Sequence, residues 1–215
     1  MKKLFITLPI LLIVLFSTSC GRNNNIEPYV VTDIPTSLDG VVINGVRWAT
    51  RNVDAPGTFA DNPEDTGMFF QWNRKKGWNA TNRRIRGWDN STPEGTEWYA
   101  ENDPCPPGWR VPTPEDIQSL KRAGSIWATL NGVNGRLFGT TPNLIFVPAK
   151  GLRSRRDSRL TAVNVWGGYW SNSPNAPWVN HDAIALWISD YDIHSDATSV
   201  GNRADGFNIR CVAKK

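Results

Sequence analysis

Two apolar runs joined by Asn-Gly begin the folded part of the chain. Residues 41–43 read Val-Val-Ile and residues 46–50 read Val-Arg-Trp-Ala-Thr, with Asn44 and Gly45 between them. Because Asn and Gly tolerate the positive φ angles of a tight hairpin turn, this pattern predicts two antiparallel strands.

The later apolar runs are short and are separated by turn residues, which predicts further short strands. These predicted strands cover 68–72, 144–147, 168–171, 183–188 and 207–212. The last of them alternates apolar and polar residues, as a half-buried strand does. Residues 73–104 are polar, glycine-rich and studded with tryptophan, so they are predicted to be irregular.

One helix is predicted after the unusual stretch CPPGWRVPTPED at 105–116. Thr113 suits the N-cap, Pro114 the first helical position and Asp116 the capping-box position. Gly124 would end the helix. Its apolar face consists of Ile117, Leu120 and Ala123. A single short helix among many short strands predicts an α+β fold.

The N-terminus has the features of a secretory signal. Lys2 and Lys3 precede the apolar run 4–16, and small residues lead to Cys20. We therefore expect a signal peptide at 1–19 and a lipid on Cys20, as in bacterial lipoproteins; ordinary cleavage with an incidental Cys20 is the alternative. Residues 20–38 are expected to be a flexible tether that anchors the folded domain, 39–215, to a membrane.

Composition makes nucleic acid a poor candidate partner. The chain has 24 basic and 20 acidic residues, and removal of Lys2 and Lys3 with the signal leaves the mature chain close to neutral. A sequence pI of about 9.1 is therefore no argument for nucleic-acid binding.

Two cysteines remain once Cys20 is assigned to lipid. In an exported protein, an even pair such as Cys105 and Cys211 is typical of a disulfide, with two buried free thiols as the alternative. Such a bond would close a loop of about a hundred residues and contribute on the order of 4 kcal/mol.

Five segments follow one another along the chain: WATRNVDAPGTFADNPEDTGMFFQWNR, NDPCPPGWRVPTPEDIQSL, FVPAKGLRSR, GGYWSNS and DGFNIRCV. Together they resemble the Fibrobacter succinogenes major paralogous domain, a family common in lipoproteins and surface proteins of Bacteroidetes and related bacteria. The resemblance covers roughly 40–213.

This resemblance implies a C-type lectin-like fold, in which a helix is tied by a disulfide to the last strand. Cys105 and Cys211 stand where that bond belongs, so the stretch at 105–116 is interpreted as an architectural clamp. The chain lacks the Glu-Pro-Asn, Gln-Pro-Asp and Trp-Asn-Asp triplets of calcium-dependent sugar-binding lectins. The sulfatase-modifying enzymes of this fold need a reactive cysteine pair, whereas here the clamp uses both cysteines of the domain.

The tryptophans suggest two candidate ligand loops. Residues 73–98 carry Trp78, Trp88 and Trp98, and residues 172–182 carry Trp178, Asn180 and His181. An indole beside amide donors suits a sugar, because the ring stacks while the amides bind hydroxyls. The second loop is weighted higher, since C-type lectin-like folds often place ligand loops there. Tryptophans that merely cover their own loops are the alternative.

Strand-like surroundings place the other tryptophans of the family segments in the core. These are Trp48, Trp72, Trp109 and Trp170.

An arginine cluster offers a second kind of site. Arg153, Arg155, Arg156 and Arg159 are offset by Asp157 alone, and they could bind an acidic glycan or phosphate groups. A solvated hairpin loop is the alternative.

Spaced oxygens in a loop at 190–196 could hold calcium, but a hairpin turn whose polar residues face water is the favoured interpretation. Asp190, Asp192, His194 and Asp196 fall at every second position, but the required Gly and Glu are replaced by Ser195 and Gly201. We expect no metal and no cofactor.

These observations favour an exported lipoprotein of the cell envelope, at the outer membrane, with a non-catalytic binding or adhesion module. Its expected ligand is a glycan or a protein surface. A structural accessory or tip component of a surface or fimbrial assembly is one alternative, and a sulfatase-modifying type of enzyme is another. No Ser/His/Asp arrangement is visible, and the chain has two histidines.

Overall fold

The computed structural model describes residues 28–32, 34, 36–37, 39–175, 181–190 and 199–215. This part contains one α-helix, α1 (Pro114–Arg122), a single turn of 3-10 helix (Ala100–Asn102) and fifteen short strands. The strands are β1 (Tyr29–Val31), β2 (Val41–Ile43), β3 (Val46–Trp48), β4 (Phe69–Phe70), β5 (Gly77–Trp78), β6 (Trp109–Arg110), β7 (Ser125–Leu130), β8 (Val133–Thr140), β9 (Asn143–Pro148), β10 (Leu152–Arg153), β11 (Leu160–Thr161), β12 (Trp166–Pro174), β13 (Asp182–Ser189), β14 (Ser199–Asn202) and β15 (Val212–Ala213). The predicted α+β class is confirmed.

The strands pair into small sheets. One four-stranded sheet has the order β1-β7-β8-β9, a second has the order β2-β3-β15-β6, and β12-β13-β14 form a three-stranded sheet. The short pairs β4-β5 and β10-β11 complete the pairing. Because the sheets are small, long connections between them remain available for a binding surface.

The predicted hairpin at the start of the domain is confirmed. β2 pairs with β3 in antiparallel register, and Asn44 and Gly45 occupy the turn with φ angles of 48° and 79°. A second hairpin, β7-β8, has the same Asn-Gly signal at Asn131 and Gly132, with φ angles of 49° and 79°. That pair of strands was not predicted, although its turn could have revealed it.

The helix begins as predicted. The Thr113 side chain accepts a hydrogen bond from the Asp116 backbone N–H at 3.2 Å, and the Asp116 carboxylate accepts one from the Thr113 N–H at 2.9 Å. The Arg110 guanidinium lies 2.8 Å from the same carboxylate, so the cap is also tied to β6. Ile117 and Leu120 are buried, as the apolar face predicts.

The disulfide between Cys105 and Cys211 is present, with 106 residues separating its ends. It joins the turn before β6 to the residue that precedes β15. The Ala49 N–H donates to the Cys211 carbonyl at 2.9 Å, so the first hairpin reaches the same point. The sheet, the helix entrance and the C-terminus are therefore held together at one place.

The C-terminal segment differs from the prediction. Ordered strand covers Val212 and Ala213, and the polar residues Asn208 and Arg210 are as buried as their apolar neighbours. The Asn208 amide donates to the carbonyls of Thr66 and Met68. These hydrogen-bond partners come from a distant segment of the chain. The alternation of apolar and polar residues therefore did not show that Asn208 and Arg210 are buried.

Two predictions of irregular structure are wrong in part. Residues 73–104, predicted to be irregular, include β5 and the 3-10 turn. Tyr29–Val31, inside the predicted tether, pairs in parallel with β7. Val31 is buried beside Leu130 and Phe146, so the end of this segment packs on the domain.

The signal segment and Cys20 lie outside the described residues. None of the helices in the described ranges has the length and apolar character needed to cross a bilayer.

Candidate functional site

An open cavity of about 460 Å³ lies in the first of the two predicted ligand-loop regions. We call it the Tyr99 pocket. Its lining consists of Asn73, Arg74, Ser91, Thr92, Pro93, Glu94, Tyr99 and Asn102. The lining therefore combines one aromatic ring with amide, hydroxyl, guanidinium and carboxylate groups. Tyr99 is 38% exposed, so its ring is accessible to a ligand.

Asn73 builds the floor of the Tyr99 pocket. Its side-chain amide donates to the Glu94 carbonyl at 2.9 Å, and its Oδ1 accepts from the Tyr99 N–H at 2.8 Å. Gly95 has a φ of +124°, and a Cβ at this position would lie 2.7 Å from the Asn73 Nδ2. Glycine at 95 therefore allows the 91–97 loop to close on the buried amide.

Arg74 lines the pocket and is held in place by Asp89 and Ser91. The Arg74 Nη1 lies 2.7 Å from the Asp89 Oδ2, and its Nη2 donates to the Ser91 Oγ at 2.8 Å. Hydrogen bonds from Ser91, with a smaller effect of the Arg74 charge, hold the pKa of Asp89 below its usual value. The guanidinium is thus oriented before a ligand arrives.

Arg203 supports the pocket from behind. It is buried, its Cζ lies 4.3 Å from the centre of the Trp72 ring, and it donates to the Gly95 carbonyl at 3.0 Å. The Arg203 Nε also donates to the Asp182 carbonyl at 3.2 Å, and the Arg203 backbone N–H donates to the His181 carbonyl. One side chain therefore connects the 91–97 loop to the second predicted ligand loop.

A second contact joins the same two regions. The Trp98 N–H donates to the Asn172 carbonyl at 2.8 Å. The described ends of the second predicted loop group, at Asn172 and at His181 and Asp182, thus lie beside the first group in the folded domain.

The loop tryptophans are less exposed than predicted. Trp78 and Trp98 are 7% and 8% exposed, and Trp88 is half-buried. Trp98 packs edge-on against Trp72 with ring centres 6.0 Å apart, and Trp78 and Trp88 are 5.1 Å apart. These indoles cover their own loops, so the prediction that they are exposed is wrong for Trp78 and Trp98. Among the predicted core tryptophans, Trp48, Trp72 and Trp170 are fully buried and Trp109 is partly buried.

Arg153 was predicted to belong to an exposed cluster, and that prediction is wrong. Its side chain is 0% exposed and donates to the carbonyls of Asn79, Thr81, Arg83 and Ser158. Removal from water lowers the pKa of this guanidinium. Arg153 therefore organises two loops from inside and is not available to an external ligand.

The neighbouring arginines do reach the surface. Arg156 is exposed, and 43% of the Arg155 side chain is exposed. Asp205 accepts a hydrogen bond from the Arg155 N–H at 2.7 Å and lies 3.5 Å from its guanidinium. Burial raises the pKa of Asp205, although the Arg155 contacts oppose that shift.

Two of the predicted ligand residues, Trp178 and Asn180, lie outside the described residues, as do Asp192, His194 and Asp196. His181 is described: 64% of its side chain is exposed, and its Nε2 lies 3.6 Å from the Asp182 Oδ2. In the described part of the chain, His, Cys, Asp and Glu side chains form no group of three that could hold a metal.

Sequence reasoning placed a ligand loop at 73–98 but did not select the pocket residues. It selected tryptophans, whereas the accessible aromatic residue is Tyr99, one position beyond that range. A polar, glycine-rich composition indicated a loop here, but the residues that face a common space depend on contacts with Asn172 and Arg203.

Comparisons with protein-family models, with curated proteins and with solved structures found no match to this chain. The Tyr99 pocket is therefore interpreted from its own chemistry.

Proposed function

We propose that this chain is an exported lipoprotein whose single domain, of the C-type lectin-like type, is a non-catalytic module that binds a neutral glycan in the Tyr99 pocket. The observation that carries this proposal is the lining of that pocket. It offers an accessible aromatic ring beside amide, hydroxyl, guanidinium and carboxylate groups within one cavity of about 460 Å³. A lipid on Cys20 would hold the module at a membrane of the cell envelope.

The lining matches the two faces of a sugar. An aromatic ring can pack against the C–H face of a pyranose, while amide and charged groups bind its hydroxyls. The Tyr99 ring is accessible, and Asn102, Glu94 and Arg74 lie around the same cavity. Such a set provides both donors and acceptors, which is what a hydroxyl needs.

The pocket is also built before a ligand binds. The Asn73 amide holds the Glu94 and Tyr99 backbones, and Arg203 holds Gly95. Because these donors and acceptors are already fixed, little ordering entropy is lost on binding. Preorganisation supports a binding site rather than an ordinary surface depression.

The disulfide and its position support the C-type lectin-like interpretation. The bond ties the entrance of α1 to the start of the final strand, which is the arrangement implied by the family resemblance. It also uses both cysteines of the domain, so the reactive pair of a sulfatase-modifying enzyme is not formed by Cys105 and Cys211.

The test uses a soluble form that begins at Gly21, which keeps every residue that the structure describes. It would be screened on a glycan array, and the best ligand would be titrated by calorimetry. We expect Tyr99→Ala to weaken binding by about 1–3 kcal/mol, the usual effect of losing one aromatic anchor. Because Tyr99 is partly exposed, the melting temperature should change little.

Tyr29→Ala is the matched control, since Tyr29 is 46% exposed and does not line the pocket. Binding to this control should equal binding to the wild type. An unchanged affinity in Tyr99→Ala would refute the pocket assignment. If Trp178→Ala alone removed binding, the ligand would belong to the 172–182 loop instead.

A further inference from the structure

A second surface of this domain gathers arginines from two loops that are far apart in the sequence. We call it the arginine surface. Its six arginines are Arg83, Arg84, Arg86, Arg155, Arg156 and Arg159. All are exposed except Arg155, whose side chain is partly exposed. The arginines at 83–86 were not singled out within the predicted ligand loop 73–98, because no local pattern places them beside 153–159.

Buried and partly buried hydrogen bonds hold the two loops together. The Ile85 N–H donates to the Ser158 Oγ at 2.6 Å, and the Trp88 Nε1 donates to the Arg155 carbonyl at 3.3 Å. Beneath them, the Arg153 guanidinium donates to the carbonyls of Thr81 and Ser158, both at 2.6 Å. These hydrogen bonds fix the two loops against each other, so their arginines form one defined surface.

The charge of the arginine surface is incompletely neutralised. Asp157 lies 3.5 Å from Arg84 and 3.4 Å from Arg159, and Asp205 lies 3.5 Å from Arg155. Without Lys2 and Lys3 of the expected signal, the chain has 22 basic and 20 acidic residues, so its remainder outside this surface has 16 basic and 18 acidic residues. The net positive charge of the mature chain therefore comes from this one surface.

We propose that the arginine surface binds an acidic polysaccharide through its sulfate or carboxylate groups. Arginine presents a planar fork of donors that matches both groups in bidentate fashion. Six arginines spread over two loops suit a ligand that carries repeated negative charges. The site differs from the Tyr99 pocket, which takes a neutral sugar, and the proposal does not depend on that pocket.

Other polyanions fit the surroundings less well. Exposed large apolar residues of the described chain fall outside 83–88 and 153–159, so this surface has no apolar group to insert into a membrane. The nearest indole, Trp88, packs against Trp78 and donates its N–H internally, so it is not free to stack on a base. Insertion into a membrane surface and binding of single-stranded nucleic acid usually combine charge with such groups.

The test measures the affinity of the soluble form from Gly21 for heparin, a sulfated polysaccharide, with dextran as the uncharged probe. The test variant replaces the three arginines of the 83–86 loop with glutamine. The matched control removes the same number of exposed cations from other elements: Arg122, Lys214 and Lys215.

We expect the test variant to lose roughly tenfold or more in heparin affinity at physiological salt. Its affinity should also fall less steeply with salt than that of the wild type, because fewer counterions are released. The control variant should retain wild-type affinity, and dextran should not bind to this surface. Tyr99→Ala should leave heparin binding unchanged, which separates this site from the pocket.

Three results would overturn the proposal. The first is an equal loss in the control variant, which would show a general effect of net charge. The second is heparin binding that the test variant leaves unchanged. The third is equally tight binding of single-stranded DNA or of anionic phospholipid vesicles that is lost in the same variant, which would assign the surface to another class of partner.

Discussion

Replacement of Arg153 by methionine should destabilise the domain strongly, even though Arg153 belongs to a sequence cluster that suggests a binding surface. Its guanidinium is fully buried and donates to backbone carbonyls of Asn79, Thr81, Arg83 and Ser158. Methionine keeps an unbranched stem of similar length but donates no hydrogen bond.

The magnitude follows from where those carbonyls lie. Hydrogen bonds to charged groups contribute about 1.5–3 kcal/mol each, but Asn79, Thr81 and Arg83 are exposed residues whose carbonyls can be hydrated after the substitution. Ser158 is buried, so its carbonyl would lose a partner without gaining water. Loss of the buried charge also returns part of its desolvation cost. We therefore expect a net loss of about 3 kcal/mol, the upper end of the cost of leaving a buried polar group without a partner.

The assay is urea unfolding of the soluble form, followed by tryptophan fluorescence, with Arg156→Met as the matched control. The control side chain is exposed, so its free energy of unfolding should change by less than about 0.5 kcal/mol. For a domain of this size, Arg153→Met should lower the melting temperature by about 6–12 °C. The Ile85 amide, which donates to Ser158, should exchange its hydrogen faster in the variant.

A loss below about 1 kcal/mol, or a loss equal to that of Arg156→Met, would refute this reasoning. Unchanged hydrogen exchange at Ile85 would show that Arg153 does not hold the two loops together. Either result would also weaken the structural basis of the arginine surface, because Arg153 lies beneath it.

Three further predictions concern other parts of the chain. Replacing Cys105 and Cys211 by alanine should cost about 2–5 kcal/mol of stability, and titration of the denatured, unreduced protein should find no free thiol from this pair; two free thiols would contradict the bond. Burial raises the pKa of Asp103 from 3.8, so the folded state binds the carboxyl proton more tightly than the unfolded state does. The stability that this proton contributes is therefore fully present below pH 3.8 and is lost as the pH rises through the raised pKa. As the pH rises above 3.8, urea unfolding should therefore show the wild type losing stability relative to Asp103→Asn, and a constant difference would contradict the shift. Cys20→Ala should abolish membrane partitioning in cell fractionation, and wild-type partitioning of the variant would exclude the lipid anchor.

Local physics explains the elements that were predicted correctly. The Asn44-Gly45 turn follows from the φ angles those residues tolerate, and the start of α1 follows from reciprocal bonds between Thr113 and Asp116. Both signals act over two to four residues, so neighbouring residues suffice to reveal them. The α+β class follows because one such helix signal stands among many short apolar runs.

The candidate site could be predicted less completely. A ligand loop at 73–98 was indicated by composition, and the Tyr99 pocket lies largely within it. The accessible ring, however, is that of Tyr99 and not of Trp98, because Trp98 packs on Trp72 and binds the Asn172 carbonyl. Those partners come from other segments of the chain, and no local pattern specifies them.

The sequence by itself determined where turns and the helix begin, which cysteines can pair and which class of fold results, since those depend on backbone preferences and residue types. Only the tertiary structure decided which polar residues are inside. Arg153, Asn208 and Arg210 are buried where backbone and side-chain oxygens of distant segments accept hydrogen bonds from them. Burial of a polar group depends on a partner at the right distance, and that distance exists only once the chain has folded.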